Sequence, residues 1–62
     1  MQIKTEYMIQ SKSVEIWSDW MDRPILDLEW ARTKINNARI YYSNLTFRLV
    51  KRVVNIEEEV LG

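Results

Sequence analysis

The sequence contains no histidine and no cysteine. Without thiols there is no disulfide framework and no redox pair; without imidazole there is no Ser-His or Cys-His nucleophile and no nitrogen or sulfur metal site. One glycine and one proline leave little material for linkers or disorder. Charge of a prevailing sign is missing as well: nine Lys plus Arg balance nine Asp plus Glu, and the pI lies near 6.2. Nothing global draws such a chain to a polyanion, so undirected nucleic-acid binding is disfavoured. No apolar run approaches the roughly 18 residues of a membrane span. The opening MQIKTEYMIQ alternates instead of forming the apolar centre of a signal peptide. No membrane partner is expected, and the expected compartment is the cytoplasm.

What remains is a chain of 62 residues, 47% apolar, enough for a single small domain over 1–62. Ordering costs about 1.5 kcal/mol per residue, and a core of this size recovers barely that much. Additional burial is therefore expected. With no staple or zinc site to supply it, association with a second copy or with a partner protein is the remaining means. Three Trp, three Tyr and one Phe fit that expectation, because aromatics bury much area at low entropic loss and are enriched at interfaces.

Residues 2 to 10 alternate, with Ile3, Thr5, Tyr7 and Ile9 on one side and Gln2, Lys4, Glu6, Met8 and Gln10 on the other. This predicts a half-buried strand. The polar run Gln10-Ser11-Lys12-Ser13 reads as a hairpin turn, followed by a second strand that faces Val14 and Ile16, with Ser18 and Trp20, inward and Glu15, Trp17 and Asp19 outward. After Asp22-Arg23-Pro24 the period changes to about 3.6. Leu28, Ala31, Ile35, Ala38 and Tyr42 make one stripe of a helix that starts at 28, capped by Asp27 and stapled by Leu26 on Ala31, and stops between 38 and 42. Leu45, Phe47 and Leu49 begin a third strand running to Val54. Asn55 and Glu58 resemble a helix-starting box, and a short helix or irregular segment is expected over 56–61. The predicted fold class is α+β, ββαβ, a three-stranded antiparallel sheet of order 2-1-3 with one helix on one face. The predicted core holds Ile3, Tyr7, Ile9, Val14, Ile16, Leu28, Ala31, Ile35, Ala38, Leu45, Phe47 and Leu49.

Two surfaces are candidates for function. The open sheet face carries Lys4, Glu6, Met8, Trp17, Asp19, Arg48, Val50 and Arg52. It is a solvated face, a partner-binding face anchored by Trp17 and Met8 with Arg48 and Arg52 as directional contacts, or a nucleic-acid face with Trp17 stacking on bases. On the helix, Trp30, Lys34, Asn37 and Tyr41 recur at steps of four, three and four, away from the predicted core. Either Trp30 folds over the sheet edge or onto Trp20 and Pro24, or the stripe is an interface. Asp19, Asp22 and Asp27 cluster before the helix, but a cap and a loop account for them. The acidic run Glu57 to Glu59 reads as a solvated end, or as a partner for Arg48, Lys51 and Arg52 across a subunit boundary. No serine has a base beside it. No catalytic residue, metal ligand or cofactor is expected.

The strings SVEIWSDW (13–20), DLEWAR (27–32) and FRLVKR (47–52) together resemble a widespread type of small protein from bacteriophages and prophages. That type reads as a tryptophan-bearing hairpin, a helix opening with a cap, Leu, acidic residues and Ala-Arg, and a last strand of aromatic-Arg-aliphatic-Val-basic-Arg. The resemblance spans most of residues 3 to 54, and its motifs are short and mainly structural. The chain departs from it at Trp30, where the type usually has an acidic residue, which points to an acquired contact there. The resemblance implies a phage product in the host bacterial cytoplasm, non-enzymatic, that binds and inhibits a host enzyme or an immune-defence protein. A homo-oligomer is expected with it. The alternatives are a small sheet-face DNA- or RNA-binding regulator and a structural component of a virion.

Overall fold

The computed structural model describes residues 5–53 and 57–62. Gln2, Ile3 and Lys4 of the expected first strand, Val54 at the end of the expected third, and Asn55 and Ile56 of the expected terminal segment lie outside them. Two strands, β1 (Thr5–Ser13) and β2 (Ile16–Asp19), form a hairpin, followed by helix α1 (Leu28–Tyr41) and strands β3 (Thr46–Val53) and β4 (Glu57–Val60). The sheet is antiparallel with order β2-β1-β3-β4. The α+β class and the central position of β1 agree with the expectation from periodicity. The number of strands does not.

The fourth strand replaces the expected terminal helix or irregular segment. Glu58, read as part of a helix-starting box, lies opposite Arg52, and Val60 lies opposite Val50. The Leu61 amide donates to the Leu49 carbonyl at 2.7 Å, and the Leu61 side chain packs against the core. Three consecutive glutamates make a poor strand alone, but the basic and apolar residues of β3 supply the cross-strand partners that decide such a segment.

Helix α1 begins and ends where its periodicity placed it. Asp27 caps it, its Oδ1 accepting from the Glu29 amide at 3.0 Å. Ala31, Ile35 and Ala38 are buried against Ile9, Phe47 and Leu49, with Tyr7, Trp20, Met21, Ile25, Leu28 and Leu61 around the edge. The small alanines let the helix lie close over β1 and β3. Leu26 is largely exposed and does not act as the expected staple.

The hairpin turn falls later than the polar run suggested. Gln10 to Ser13 belong to β1, Ser13 pairs with Ile16, and the two-residue turn is Val14-Glu15. Both turn residues have positive φ, 57° and 106°. A two-residue hairpin of this hand favours Asn and Gly; a β-branched valine there is a steric outlier. The turn is also far from the core. Helix α1 spans about 21 Å, whereas nine extended residues of β1 span roughly 30 Å, and β3 begins at Thr46, opposite Lys12. The hairpin tip therefore projects past both the helix and the third strand, and Val14 (89% exposed) and Ile16 (69%) lie outside the core that alternation assigned them to. Leu45, in the turn after the helix, is likewise exposed.

The double substitution Val14→Asn with Glu15→Gly should relieve the strained backbone without touching the core. The expected gain is about 1–2 kcal/mol, read as a higher midpoint in urea at unchanged m-value. A lower midpoint would mean that the valine is held by contacts the turn geometry does not reveal.

Candidate functional site

Strand register sets the chemistry of the open sheet face. Gln10 lies opposite Asp19 on one side and Arg48 on the other, and Arg52 lies opposite Glu58. These cross-strand neighbours join. Buried Gln10 donates through Nε2 to Asp19 Oδ1 (3.0 Å) and accepts at Oε1 from Arg48 Nε (2.8 Å). Arg52 donates to the same Asp19 oxygen through Nη2 and to Glu58 Oε2 through Nε, each at 2.6 Å. The Arg48 guanidinium lies 4.4 Å from the Trp17 ring centroid, and Lys12 Nζ lies 5.9 Å from it. One connected ribbon thus spans all four strands.

The ribbon explains why two apolar residues on this face are buried within a single chain. Arg52 is opposite Glu6, Asp19 is opposite Gln10, and Met8 lies between those two positions on β1. The Arg52 side chain must therefore cross β1 at the level of Met8. Val50, flanked by Met8 and Val60 on the adjacent strands and by Arg48 and Arg52 on its own, is fully buried. Long charged side chains commonly shield apolar surface in this way. Of the residues proposed as partner contacts on this face, Met8 is enclosed, while Trp17, Arg48 and Arg52 are engaged with neighbours in the chain.

The electrostatics follow from the same contacts. Partial burial would raise the Asp19 pKa, but the hydrogen bonds from Gln10 and Arg52 and the charge of Arg52 outweigh it, leaving the carboxyl below its ordinary value. For Arg52, the hydrogen bond to Glu58 leads over desolvation, and with the bond to Asp19 and both carboxylate charges it raises the pKa further. These pairs are part-exposed, so water screens them; each contributes on the order of 1 kcal/mol or less.

The helix flank is arranged differently. Trp30 (54% exposed) and Tyr41 (80%) stand outward on the stripe expected from spacing, and Lys34 Nζ lies 5.4 Å from the Trp30 ring centroid. Lys34, Asn37 and Tyr41 line an open depression of about 320 Å3 with Trp20, Ala38 and Tyr42. A neighbouring depression is lined by Trp30, Thr33, Lys34 and Asn37. Trp30 does not take Trp20 as its cover. Trp20 instead meets Phe47 and Tyr42 edge-on, at 5.0 and 5.5 Å between centroids. Spacing found the stripe but not its floor, because Trp20 follows the end of β2 and reaches the helix only through the folded sheet.

Among the described residues no three His, Cys, Asp or Glu side chains come together as a metal site, and no helix is long and apolar enough to cross a membrane. In comparisons with protein-family models, curated proteins and solved structures, no match to this chain was found.

Two outcomes follow for the side chains described. Because the folded pKa of Asp19 lies below its unfolded value, the associated stability is complete above about pH 5 and is lost as the pH falls through the lowered folded value. Asp19→Asn should therefore flatten the pH dependence of the unfolding free energy in the acid range below about pH 5, measured by urea titration. Trp20→Ala should destabilise by about 3 kcal/mol, whereas Trp30→Ala should change stability by no more than roughly 0.5 kcal/mol. Thermal and urea unfolding of both variants checks the contrast.

Proposed function

We propose that this chain is a non-enzymatic binding protein that engages another protein through the helix flank formed by Trp30, Lys34 and Tyr41. The observation that carries the reading is the different treatment of the three indoles. Trp20 is packed into the core edge and Trp17 lies beneath Arg48, but Trp30 stands half-exposed on a rigid helix beside an exposed Tyr41. Large aromatics on a fixed element, next to a cation and a shallow depression, have the character of interface anchors. The resemblance to small phage and prophage proteins supports the narrower role: inhibition of a host enzyme or a defence protein in the bacterial cytoplasm.

Nucleic acid on the open face is the weaker reading. A base has to displace Arg48 from the Trp17 ring, and Arg52 already serves two carboxylates. Phosphate contacts by such groups would forfeit interactions made within the chain. Assembly into a virion would require extensive self-association with no host target.

The test is capture from a bacterial lysate with the wild-type chain, followed by affinity measurement with the purified captured protein. Trp30→Ala and Tyr41→Ala together should weaken that binding by at least roughly thirtyfold, the loss of one hot-spot anchor, with the circular dichroism spectrum unchanged. Binding should also depend weakly on salt. Recovery of nucleic acid alone, with affinity falling steeply as salt rises, or undiminished binding by the double variant, would overturn the proposal.

A further inference from the structure

Strand β2 is at one end of the sheet, and no described residue pairs with its outer edge. The direction of its backbone groups can be read from the hairpin. The Trp20 amide donates to Ile9 at 2.9 Å, and Ser13 pairs with Ile16 across the two-residue turn. In an antiparallel pair, residues alternate between bonding inward and facing away. Ile16, Ser18 and Trp20 therefore bond to β1, and the amides and carbonyls of Trp17 and Asp19 face outward. This edge contains no proline and no lysine, two of the usual protections against edge pairing, although β2 is short and carries Asp19.

The opposite edge of the sheet is protected. Strand β4 presents Glu58 and Glu59 in succession, so pairing it with another β4 would oppose carboxylates. Pairing β4 with β2 would bring Asp19, and the adjacent turn residue Glu15, alongside the same glutamates. Pairing β2 with β2 brings a single strand carboxylate, Asp19, from each copy, the fewest of the three edge pairings, and the charges then select its register. Residues directly opposite must share a sheet face, so a two-fold axis falls at Trp17 or at Ser18. An axis at Trp17 sets Glu15 against Asp19 of the other copy. An axis at Ser18 sets Trp17 against Asp19 and Ile16 against Trp20, with no like charges opposed, and uses all four outward groups of each strand.

We propose that two copies of this chain join through their β2 edges, antiparallel about a two-fold axis at Ser18, to form a continuous eight-stranded sheet. Each Asp19 then lies beside an indole whose ring is flanked by Lys12 and Arg48, and Ile16, largely exposed in one chain, gains the Trp20 of its mate. Both helices lie on the same side of the sheet. Seated over β1 and β3, they are roughly 20 Å apart at a strand spacing of about 4.8 Å, which leaves a gap of roughly 10 Å between helices of ordinary diameter. Trp20 lines the depression beside Lys34 and Tyr41, so the flanks with Trp30 and Tyr41 border that gap, which is about one helix wide. The binding proposed above does not require this assembly, and in the dimer it admits only a partner element of that width.

The interface is small, and association should be weak, with the mass rising from monomer to dimer over roughly micromolar to millimolar concentration. Sedimentation of the wild-type chain measures this. Ser18→Lys, which places two cations on the axis at an exposed position, should hold the chain monomeric throughout that range while leaving its circular dichroism unchanged. A cysteine gives a second, independent readout in a chain that has none. In the proposed register the two Ser18 Cα atoms are about 4.5 Å apart, within disulfide reach. Ser18→Cys should therefore cross-link to a dimer under mild oxidation at least tenfold faster than Glu59→Cys. A wild-type mass that stays monomeric, Ser18→Lys that dimerises like wild type, or equal cross-linking by the two cysteines would each overturn the proposal.

Discussion

Gln10 is the residue on which both faces of this small sheet depend. Its amide is buried, and a buried amide is costly unless donor and acceptor are both engaged. Here Asp19 takes the donor and Arg48 supplies the acceptor's partner, so β2, β1 and β3 are held in one register. Asp19 is then positioned for Arg52, and Arg52 for Glu58 on β4. Among the described residues no buried side-chain polar atom lacks a partner. A one-residue slip of any strand would break this chain of contacts, and a slip of β1 or β3 would also turn Ile9, or Phe47 and Leu49, away from the helix.

That arrangement answers the shortage of interior expected for 62 residues in an unexpected way. The open face has no second layer, yet Met8 and Val50 are buried, because arginine stems and an indole take the place of one. The demand for outside cover is thereby reduced to the parts that the ribbon and the helix do not reach. These are the helix flank around Trp30 and Tyr41, and the projecting hairpin with its bare edge at β2. They are the surfaces proposed above for binding and for self-association. The open sheet face, richer in candidate contacts by composition, is the more self-sufficient of the two faces.

The two surfaces also differ in rigidity and in chemistry. The flank belongs to a capped fourteen-residue helix seated on the core, which would hold the proposed anchors in place before a partner arrived. The hairpin tip is held by one neighbouring strand and a strained turn. Its recognition elements are backbone groups, which specify direction and register but select among partners only through the side chains beside them.

Local periodicity by itself determined the α+β class, the extent of α1, its Asp27 cap and its two stripes, since each depends on spacings within one element. It also separated the faces of β1 and β3 correctly. Only the tertiary structure decided the rest. The polar run at Gln10 is strand because Asp19 and Arg48 wait across from it, and Glu57 to Val60 are strand because β3 supplies their partners. Val14 and Ile16 are exposed because the hairpin outruns the helix, a comparison of lengths between elements that no single segment contains. Trp17, Trp20 and Trp30 are alike as letters; what distinguishes them is whether folding brings a guanidinium, two aromatic rings or open solvent to the indole.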